Sequence, residues 1–318
     1  MSYWIVGLGI YITGTVILFI FPSLIHKKRD YKILNKLING KLKIISHRGG
    51  MEKYPENSLS SFKNSVEIGC FGVELDVHTT LDGKLIICHD KNLKRITNQV
   101  ESPEELNYDQ IKNYQKNIWD ENIQEYFHYE DYIIEKPPLF EDLLRNFKNN
   151  DLYINIDIKS NKESEMLEVI KLIHKYEIEN NVVIGFSLNS KAKEIIKNYK
   201  MDIPTFCNVK ELLLFVFGSI FLFLPFVSFK NDVVCITGNF NSTKNSNAFK
   251  NSFLKKLLLK FTDLMSPLYK IFVWHMNRRG IPVVLWTLNC HDDWEKGIKR
   301  GVNGIMTDYP LKLINYLD

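Results

Sequence analysis

The chain has 318 residues, of which 45% are hydrophobic and 25% charged, and its formal net charge is only +4. This length can hold one large α/β barrel or two small domains, and the composition is that of an ordinary globular protein. The small charge, with no basic cluster beside a stacking platform, excludes a nucleic-acid-binding protein. Scattered cysteines without a CxxC pair favour a reducing compartment over a disulfide framework. They are Cys70, Cys88, Cys207, Cys235 and Cys290.

An uncharged apolar segment begins the chain. Residues 3–21 carry no charge and precede a basic group at residues 26–29, and about 19 such residues suffice to cross the hydrocarbon core of a bilayer. We predict a membrane anchor at residues 1–25 and a polar linker at residues 26–41, with the following domain on the cytoplasmic side, at the endoplasmic reticulum or another endomembrane. A cleaved signal peptide is the alternative, but no positive residues precede the segment and no small-x-small site follows it.

The densest group of ionisable residues lies in residues 44–90. A short apolar strand ends at His47, which is followed by Arg48 and two glycines, so a buried strand opens into a flexible loop here. A helix with one apolar face comes next, and Glu56 and Asn57 stand at its entry. These residues therefore form a strand, loop and helix unit with its polar groups in the loop.

The next predicted strand, residues 72–77, carries two acids on one face. Glu74 and Asp76 share one side because side chains alternate along a strand. Two carboxylates so placed repel each other, and a divalent cation such as Mg²⁺ or Ca²⁺ relieves the repulsion. A turn and another apolar strand, residues 84–88, then lead to His89.

Residues 153–159 alternate in the same way and end in an acid and a base. Asp157 can complete an oxygen cage with Glu74 and Asp76, and Lys159 can contact a phosphate. A plain ion pair between Asp157 and Lys159 at a strand end is the alternative interpretation.

Strands and helices alternate through the rest of the chain, which predicts a parallel sheet. Residues 91–138 are irregular and polar, and we interpret them as an insertion that caps one end of the fold. The predicted strands are residues 182–187, 203–207, 233–237, 283–288 and 304–307, and the predicted helices are residues 139–147, 164–176, 191–199 and 292–300. We predict a right-handed (β/α)₈ TIM barrel, because the ionisable residues gather at strand ends. Nine strand candidates compete for eight places, so either residues 203–207 or residues 233–237 should be irregular.

A second apolar segment, residues 211–229, is almost uncharged. Hydropathy alone predicts a membrane span. A full crossing would put parts of one sheet on opposite sides of the bilayer, so we predict that the segment dips into one leaflet, with Gly218 and Pro225 permitting a bend. A fully buried core helix is the alternative. An Asn/Ser-rich loop at residues 239–251 follows. The pattern of residues 253–272 predicts an amphipathic helix that carries lysines and lies either on a membrane surface or on the barrel.

Several motifs occur together and in a fixed order: HRG at 47–49, PEN at 55–57, ELDVHTTLDG at 74–83 and HD at 89–90. They resemble the signature of the glycerophosphodiester phosphodiesterase family. The similarity continues in YINIDIK (153–159), VVLWTLN (283–289) and GIMTDYP (304–310), so it covers nearly everything after residue 42. With its two apolar segments the chain looks most similar to the membrane-associated animal branch that acts as a lysophospholipase D.

The resemblance implies a catalytic barrel at residues 42–318 that acts on a phosphodiester. We expect His47 and His89 to act as acid and base, without an assignment of which is which. His78, out of phase with Asp76, is interpreted as structural. The resemblance also places the aromatic side chain of Trp286 against the substrate, although a tryptophan is more often a core residue.

The remaining expected roles concern the phosphate and the metal. Arg48 and Lys159 would offset the negative charge of the phosphate. Glu56 and Asn57 would hold the metal ligands or the phosphate by hydrogen bonds, although their simplest role is to begin a helix. Most relatives carry Glu where this chain has Asp157, which would shift the metal by about one methylene.

Four functions remain open on this sequence. The favoured one is metal-dependent hydrolysis of lysoglycerophospholipids, which releases the head-group alcohol and lysophosphatidic acid. The alternatives are a phosphodiesterase of water-soluble glycerophosphodiesters that yields glycerol 3-phosphate, a non-catalytic membrane binding protein, and a sphingomyelinase-D-like toxin. The anchor and the cysteine pattern oppose the secreted, disulfide-bonded toxin. A membrane and the substrate are the expected partners, and no obligate protein partner is inferred.

Overall fold

The strands of this protein are short and mostly buried. The computed structural model describes residues 2–120, 125–129, 134–159, 162–186, 192–199, 201–237 and 266–318. The strands are β1 (Lys43–Ser46), β2 (Gly72–Thr79), β3 (Leu85–Ile87), β4 (Asn117–Asp120), β5 (Glu125–His128), β6 (Tyr153–Ile158), β7 (Val182–Phe186), β8 (Val234–Thr237), β9 (Val283–Trp286) and β10 (Gly304–Thr307).

Helices alternate with the strands, as the sequence predicts. They are α1 (Ser2–Ile20), α2 (Lys32–Ile38), α3 (Leu59–Glu67), α4 (Lys94–Thr97), α5 (Phe140–Phe147), α6 (Glu163–Lys175), α7 (Ala192–Asn198), α8 (Val209–Ile220), α9 (Ser266–Arg278), α10 (His291–Arg300) and α11 (Pro310–Leu317). A capping box begins α3: the Ser58 side chain accepts from the N–H of Ser61 at 3.0 Å, and the Ser61 side chain accepts from the N–H of Ser58 at 3.2 Å. This cap fixes the loop that precedes α3.

Seven parallel strands form a curved sheet in the order β7, β6, β2, β1, β10, β9, β8. A short segment joins its two outer strands: Thr205 pairs with Ile184 of β7, and Phe206 pairs with Val233 at the start of β8, both in parallel. This segment occupies the eighth strand position of the barrel, so the predicted (β/α)₈ TIM-barrel fold is confirmed. Residues 203–207 are therefore the irregular strand candidate.

The surplus strand candidate is β3, which lies outside the parallel barrel. It pairs antiparallel with β2, because a tight turn joins the two strands. Parallel pairing would require a crossover connection of about a dozen residues or more. In this turn Gly83 has a φ of +76°, and the N–H of Thr80 donates to the carbonyl of Lys84 at 2.9 Å. The antiparallel course carries the chain back along β2, so that the N–H of Cys88 donates to the carbonyl of Asp76 at 3.0 Å.

The linker predicted at residues 26–41 contains a helix that belongs to the barrel core. Ile33, Leu34 and Leu37 of α2 are 2%, 0% and 1% exposed. Their spacing puts them on one face of the helix, which packs against the strands where these begin. The barrel side chains in this cluster include Ile45, Tyr153, Val183, Val233, Val284 and Met306. The prediction of a polar linker was therefore wrong for α2.

Gly72 begins β2 directly against β6. A Cβ at this position would lie 2.4 Å from the backbone oxygen of Tyr153, which is its partner in the parallel pairing. We expect Gly72→Ala to lower the free energy of unfolding by about 1–3 kcal/mol, because the two strands must separate. Urea unfolding measures this loss. Gly304→Ala is the matched control, since its Cβ would approach other atoms no closer than 3.4 Å; equal losses for both variants would contradict the argument.

The second apolar segment forms α8 and a 3-10 turn, Leu224–Phe226. The chain reverses at Leu222, whose φ is +58°, between the two predicted bend positions. Gly218 allows the returning chain to approach, because a Cβ there would lie 3.1 Å from the Cα of Leu224. Phe215 on the inner side of α8 is buried in the barrel cluster.

A single helix among the described residues, Tyr3–Ile20 within α1, is long and apolar enough to cross a membrane. Its mean hydropathy is 2.0 and none of that window is buried. Its second half lies beside other described residues: Tyr11 stacks on Phe226 with ring centroids 6.2 Å apart, and the ring of Phe19 lies 4.5 Å from that of His275. A signal sequence has the same length and composition, so the role of α1 as an anchor remains a prediction.

The insertion at residues 91–138 is more ordered than its polar sequence predicts. It contains α4 and the antiparallel hairpin of β4 and β5, in which Asn117 lies opposite His128. A small apolar cluster stabilises it, formed by Ile86, Cys88, Leu93, Ile96, Ile111, Tyr114, Ile118 and Tyr129. The predicted loop at residues 239–251 lies outside the described residues, as do residues 253–265 of the predicted amphipathic helix.

Candidate active site

His47 follows β1 directly and is held by a carboxylate from the far end of the chain. Its Nδ1 lies 2.5 Å from Oδ1 of Asp308, and its Nε2 lies 3.8 Å from Oε2 of Glu74. Asn289 fixes Asp308 by donating to Oδ2 at 2.6 Å. Burial acts to lower the pKa of His47, but the charges of Asp308 and Glu74 outweigh it and raise this pKa. The imidazole is thus oriented by one nitrogen and presents the other to the site.

His89 is oriented in the same way by its neighbour. Its Nδ1 lies 2.8 Å from Oδ1 of Asp90, and Oδ2 of Asp90 accepts from Nε of Arg95 at 2.6 Å. Arg95 in turn donates two hydrogen bonds of 2.7 Å to the carboxylate of Glu56. Glu56 also accepts from Nη1 of Arg48 at 3.2 Å. A continuous network of ion pairs therefore connects His89 to Arg48.

The three predicted acids lie on two neighbouring strands. Glu74 and Asp76 share one side of β2, and Asp157 lies opposite Asp76 on β6. The ammonium group of Lys159 is 2.8 Å from Oδ1 of Asp76 and 2.7 Å from Oδ2 of Asp157. The predicted ion pair at the end of β6 is therefore present, and the acids nevertheless line the same cavity.

Glu74 and Asp76 differ in their electrostatic surroundings. Burial raises the pKa of Glu74, and the charge of Asp76 raises it further, to about 7. Burial acts on Asp76 in the same direction, but the charges of Lys159 and Arg48 outweigh it and hold this pKa below its usual range. His47, Lys159 and Arg48 act to lower the pKa of Glu74 but do not outweigh the effects that raise it. The negative charge of Glu74 is therefore less well compensated than that of Asp76.

Within the described part of the chain, no three His, Cys, Asp or Glu side chains are placed so that they could hold a metal ion as they stand. The donor chemistry nevertheless fits a hard divalent cation. Besides the carboxylate of Glu74, the buried amide oxygens of Asn57 and Asn155 have no hydrogen-bond partner among the described residues. A buried oxygen of this kind is costly unless something satisfies it. Asn155 lies opposite Glu74 across β2 and β6. Carboxylate and amide oxygens are the ligands that Mg²⁺ and Ca²⁺ take.

One cavity of about 400 Å³ collects these side chains. The predicted residues that line it are His47, Arg48, Glu74, Asp76, His89, Asp157, Lys159 and Trp286. Trp286, at the end of β9, is 43% exposed, so it is a cavity residue and not a core residue; its contact with a substrate stays a prediction. The cavity also has an apolar wall, to which Phe206, Leu212 and Ile236 contribute.

Glu56 and Asn57 precede α3 and do more than begin a helix. Glu56 is 1% exposed; burial acts to raise its pKa, but the charges of Arg95 and Arg48 outweigh it and lower this pKa. The amide of Asn57 donates to Oδ2 of Asp76 at 3.1 Å. Both residues thus hold charged side chains of the cavity in position.

Sequence reasoning missed the residues that orient the two histidines. Asp308 follows the last barrel strand, and polar residues at the ends of such strands are the expected functional ones, so a signal was present in the GIMTDYP stretch. Asp90 stands beside His89 in the HD motif, but adjacency alone does not predict a contact between the two side chains. Arg95 lies in the polar insertion, where nothing in the sequence distinguishes it from other basic residues.

The family of the protein follows from its similarity to known sequences. The model of the glycerophosphoryl diester phosphodiesterase family matches residues 47–312. The chain belongs to this family. It is 31% identical to lysophospholipase D GDPD1 of Homo sapiens, over 99% of this chain and 96% of that protein. It is 25% identical to lysophospholipase D GDPD3 of Homo sapiens, over 100% of this chain and 96% of that protein.

Membership of the glycerophosphoryl diester phosphodiesterase family makes the protein a phosphoric diester hydrolase. This opposes the non-catalytic alternative. Solved structures share its fold. The Oleispira antarctica phosphodiesterase, solved with the product sn-glycerol-3-phosphate, has a TM-score of 0.61 at 17% identity and covers 87% of this chain and 96% of its own. The Parabacteroides distasonis glycerophosphodiester phosphodiesterase has a TM-score of 0.57 at 20% identity, with 87% and 98% covered.

Proposed function

We propose that this phosphodiesterase is a lysophospholipase D, which hydrolyses a lysoglycerophospholipid to the head-group alcohol and lysophosphatidic acid. The observation that carries the proposal is a single cavity in which His47 and His89, each oriented by a carboxylate, lie beside Arg48 and Lys159 and face an apolar wall. The similarity to human proteins named lysophospholipase D supports a lipid substrate over a soluble one.

The charged residues of the cavity suit a phosphodiester. A divalent cation held by Glu74, Asp76 and Asp157 would supply Lewis-acid stabilisation of charge on the phosphate oxygens. Arg48 and Lys159 offset the remaining negative charge, and both are already fixed by ion pairs to Asp76. Fixed charges of this kind need no rearrangement when charge develops on the phosphate, which is why they favour the reaction.

His47 and His89 transfer the protons. One imidazole removes the proton of the glycerol hydroxyl next to the phosphate, and the oxygen of that hydroxyl attacks phosphorus. The other imidazole donates a proton to the departing head-group oxygen as its bond to phosphorus breaks. This attack is intramolecular and gains from proximity. Water then opens the cyclic phosphate with the reverse proton transfers, so both imidazoles return to their starting states.

A water-soluble glycerophosphodiester that yields glycerol 3-phosphate is the second candidate substrate. A polar cavity of about 820 Å³ adjoins the first one at Arg48 and His89, and it needs no acyl chain to be filled. The Oleispira antarctica enzyme, solved with the product sn-glycerol-3-phosphate, supports a water-soluble substrate. The apolar wall beside Lys159 favours the lipid.

We further propose that residues 1–25 anchor the enzyme in a membrane, that residues 211–229 dip into one leaflet, and that the barrel lies on the cytoplasmic side. The contact between Tyr11 and Phe226 supports the dip. Tyr11 lies nine residues before Ile20, which is about 14 Å along a helix, or roughly half of the hydrocarbon thickness. The 3-10 turn that ends at Phe226 would thus reach the middle of the bilayer, and the segment would not cross it.

The products of lysophosphatidylcholine hydrolysis test the proposed function. The purified full-length enzyme is incubated with this lipid and a divalent cation, and the products are separated by mass spectrometry. Choline and lysophosphatidic acid are expected. Recovery of phosphocholine would show that the other phosphate ester bond is cleaved. Turnover of glycerophosphocholine without turnover of the lipid would favour the second candidate.

Asp308 is expected to act through His47, as a positioning residue. Asp308→Asn keeps the shape of the side chain but removes the charge that orients the imidazole, so kcat should fall by about 100-fold or more. KM should change little, because the carboxylate of Asp308 forms hydrogen bonds with His47 and Asn289. The side chains proposed to bind the phosphate are those of Arg48 and Lys159. Steady-state kinetics and thermal unfolding measure both effects. A rise in KM at constant kcat would contradict the positioning role.

A further inference from the structure

An exposed apolar stripe runs along α8 and ends at Phe221, the residue that directly follows the helix. Val209, Leu213, Phe217 and Phe221 follow one another at intervals of four residues and are 63%, 42%, 36% and 63% exposed. Residues four apart lie above one another on a helix, so these side chains form a continuous strip. An uninterrupted apolar strip of this kind marks a surface that contacts another apolar body.

The stripe begins inside the candidate active site. Val209, at its first position, lines the same cavity as His47 and Lys159. Leu212, one turn further and half-buried, lines it too. The first turn of α8 therefore contributes to the apolar wall of the cavity, beside Phe206 and Ile236.

The stripe ends beside the candidate anchor. Phe221 stacks on Phe217 with ring centroids 6.4 Å apart, and the next residue, Leu222, lines an apolar cleft of about 250 Å³ against Val16 and Phe19 of α1. One apolar path thus leads from the membrane-spanning helix to the cavity.

The cavity is polar on its other side. It meets the second cavity, of about 820 Å³, at Arg48 and His89, and this second cavity is lined by polar side chains such as Asn92, Lys94 and Gln115. The site therefore has an apolar exit toward the membrane and a polar exit toward the insertion. A molecule with one apolar and one polar end on either side of a phosphate matches this arrangement.

We propose that α8 guides the single acyl chain of a lysoglycerophospholipid from the bilayer into the active site, and that the first carbons of the chain rest against Leu212. The head group then lies in the polar cavity beside His89. This inference rests on the proposed lysophospholipase D function and deepens it, since it names the residues that select a lipid over a water-soluble phosphodiester. The path runs beside α1, so the chain need not leave the apolar phase completely before its phosphate reaches Arg48.

Monomeric substrates of increasing chain length test the contact with Leu212. Choline release is measured from glycerophosphocholine and from hexanoyl- and octanoyl-lysophosphatidylcholine, all below their micellar concentrations. With the wild-type enzyme kcat/KM should rise with chain length. Leu212→Glu should reduce the ratio of octanoyl to glycerophosphocholine kcat/KM by at least about tenfold, because a charge replaces the apolar contact. Leu212→Met is the volume-conserving control and should keep the ratio within about threefold. Leu212→Ala replaces the charged variant if that does not fold.

Vesicles test the outer part of the path. Phe221→Asp places a charge outside the cavity and should slow hydrolysis of hexadecanoyl-lysophosphatidylcholine in phosphatidylcholine vesicles by about tenfold, at equal amounts of vesicle-bound enzyme. The same variant should hydrolyse monomeric octanoyl-lysophosphatidylcholine like the wild-type enzyme, because that substrate does not use the path.

The outcomes separate this inference from the proposed function. Choline release that is independent of chain length in the wild-type enzyme would overturn the inference and leave the phosphodiesterase activity standing. Equal losses on all substrates in Leu212→Glu, with Leu212→Met unaffected, would also overturn it, since the side chain would then serve the phosphate site and not the acyl chain. Absence of choline release from every substrate would overturn the proposed function itself.

Discussion

Alanine at His47 or His89 is expected to lower kcat by about 10²- to 10⁴-fold, because each imidazole transfers one of the two protons of the proposed reaction. Both rings are already oriented through Nδ1, by Asp308 at 2.5 Å and by Asp90 at 2.8 Å. Their Nε2 atoms are then the ones that face the reacting groups. Choline release from lysophosphatidylcholine at saturating substrate measures the loss, and thermal unfolding checks that the variants fold.

The control for this experiment is His174→Ala, since His174 lies on the surface of α6, where its exposed imidazole hydrogen-bonds to Glu179 at 2.8 Å. Its activity should match that of the wild-type enzyme. The kcat of the double variant of His47 and His89 should be only slightly lower than that of the less active single variant. The effects of two groups that act in one reaction on kcat are not additive. Turnover close to wild type in either single variant, with unchanged folding, would rule out the proposed acid and base pair.

Removal of divalent cations is expected to lower kcat by about 100-fold or more, and addition of Mg²⁺ or Ca²⁺ should restore it. The physical reason lies in Glu74, whose pKa is raised to about 7 by burial and by the charge of Asp76. A cation between these carboxylates would offset that repulsion. The measurement is turnover after treatment with a chelator, followed by titration with each cation.

A readout independent of activity comes from stability. A cation that binds the folded protein raises the midpoint of thermal unfolding, so the wild-type enzyme should unfold at a higher temperature in Mg²⁺ or Ca²⁺ than in chelator. Glu74→Gln should lose this increase. Glu295→Gln, which removes an exposed carboxylate paired with Lys299, should keep it. Full activity in chelator would contradict metal dependence, and an unchanged unfolding midpoint in all cations would contradict a metal site at Glu74.

The parts of the site that follow from local pattern were predictable. Alternation along β2 puts Glu74 and Asp76 on one side of that strand, and alternation along β6 puts Asn155 and Asp157 on one side of that strand. The apolar run before His47 likewise marks the end of a strand. Period-two patterns and short apolar runs are local, so a single sequence reveals them.

The parts that depend on distant contacts were not predictable. Asp308 reaches His47 across 261 residues, and Arg95 reaches Glu56 across 39. The strand-end position of Asp308 marks it as a polar residue of the site but does not identify its partner, and no local pattern marks Arg95. The place of β3 was misjudged for a related reason. It was counted among the candidates for the parallel barrel, because an apolar run reveals a strand but not its neighbour. Its turn at Gly83 carried the missing information, because a hairpin connection requires antiparallel pairing.

The role of Lys159, which lies between Asp76 and Asp157, could not be decided from the sequence either. Alternation puts Lys159 on the same side of β6 as Asp157, which is compatible with a phosphate contact and with an ion pair. The structure contains the ion pairs with Asp76 and Asp157, and a lysine so placed can also contact a phosphate at the cavity. The two interpretations are therefore not exclusive.

The way α1 rests on the barrel has a practical consequence for biochemistry. Phe19 covers Phe272, at a centroid distance of 6.3 Å, and stacks on Trp274 at 6.1 Å. A shortened chain that begins after residue 21 would bare these rings and Phe226 to water. Such a protein should self-associate or demand detergent during purification, so kinetic comparisons are better made on full-length enzyme reconstituted into nanodiscs than on the excised catalytic region.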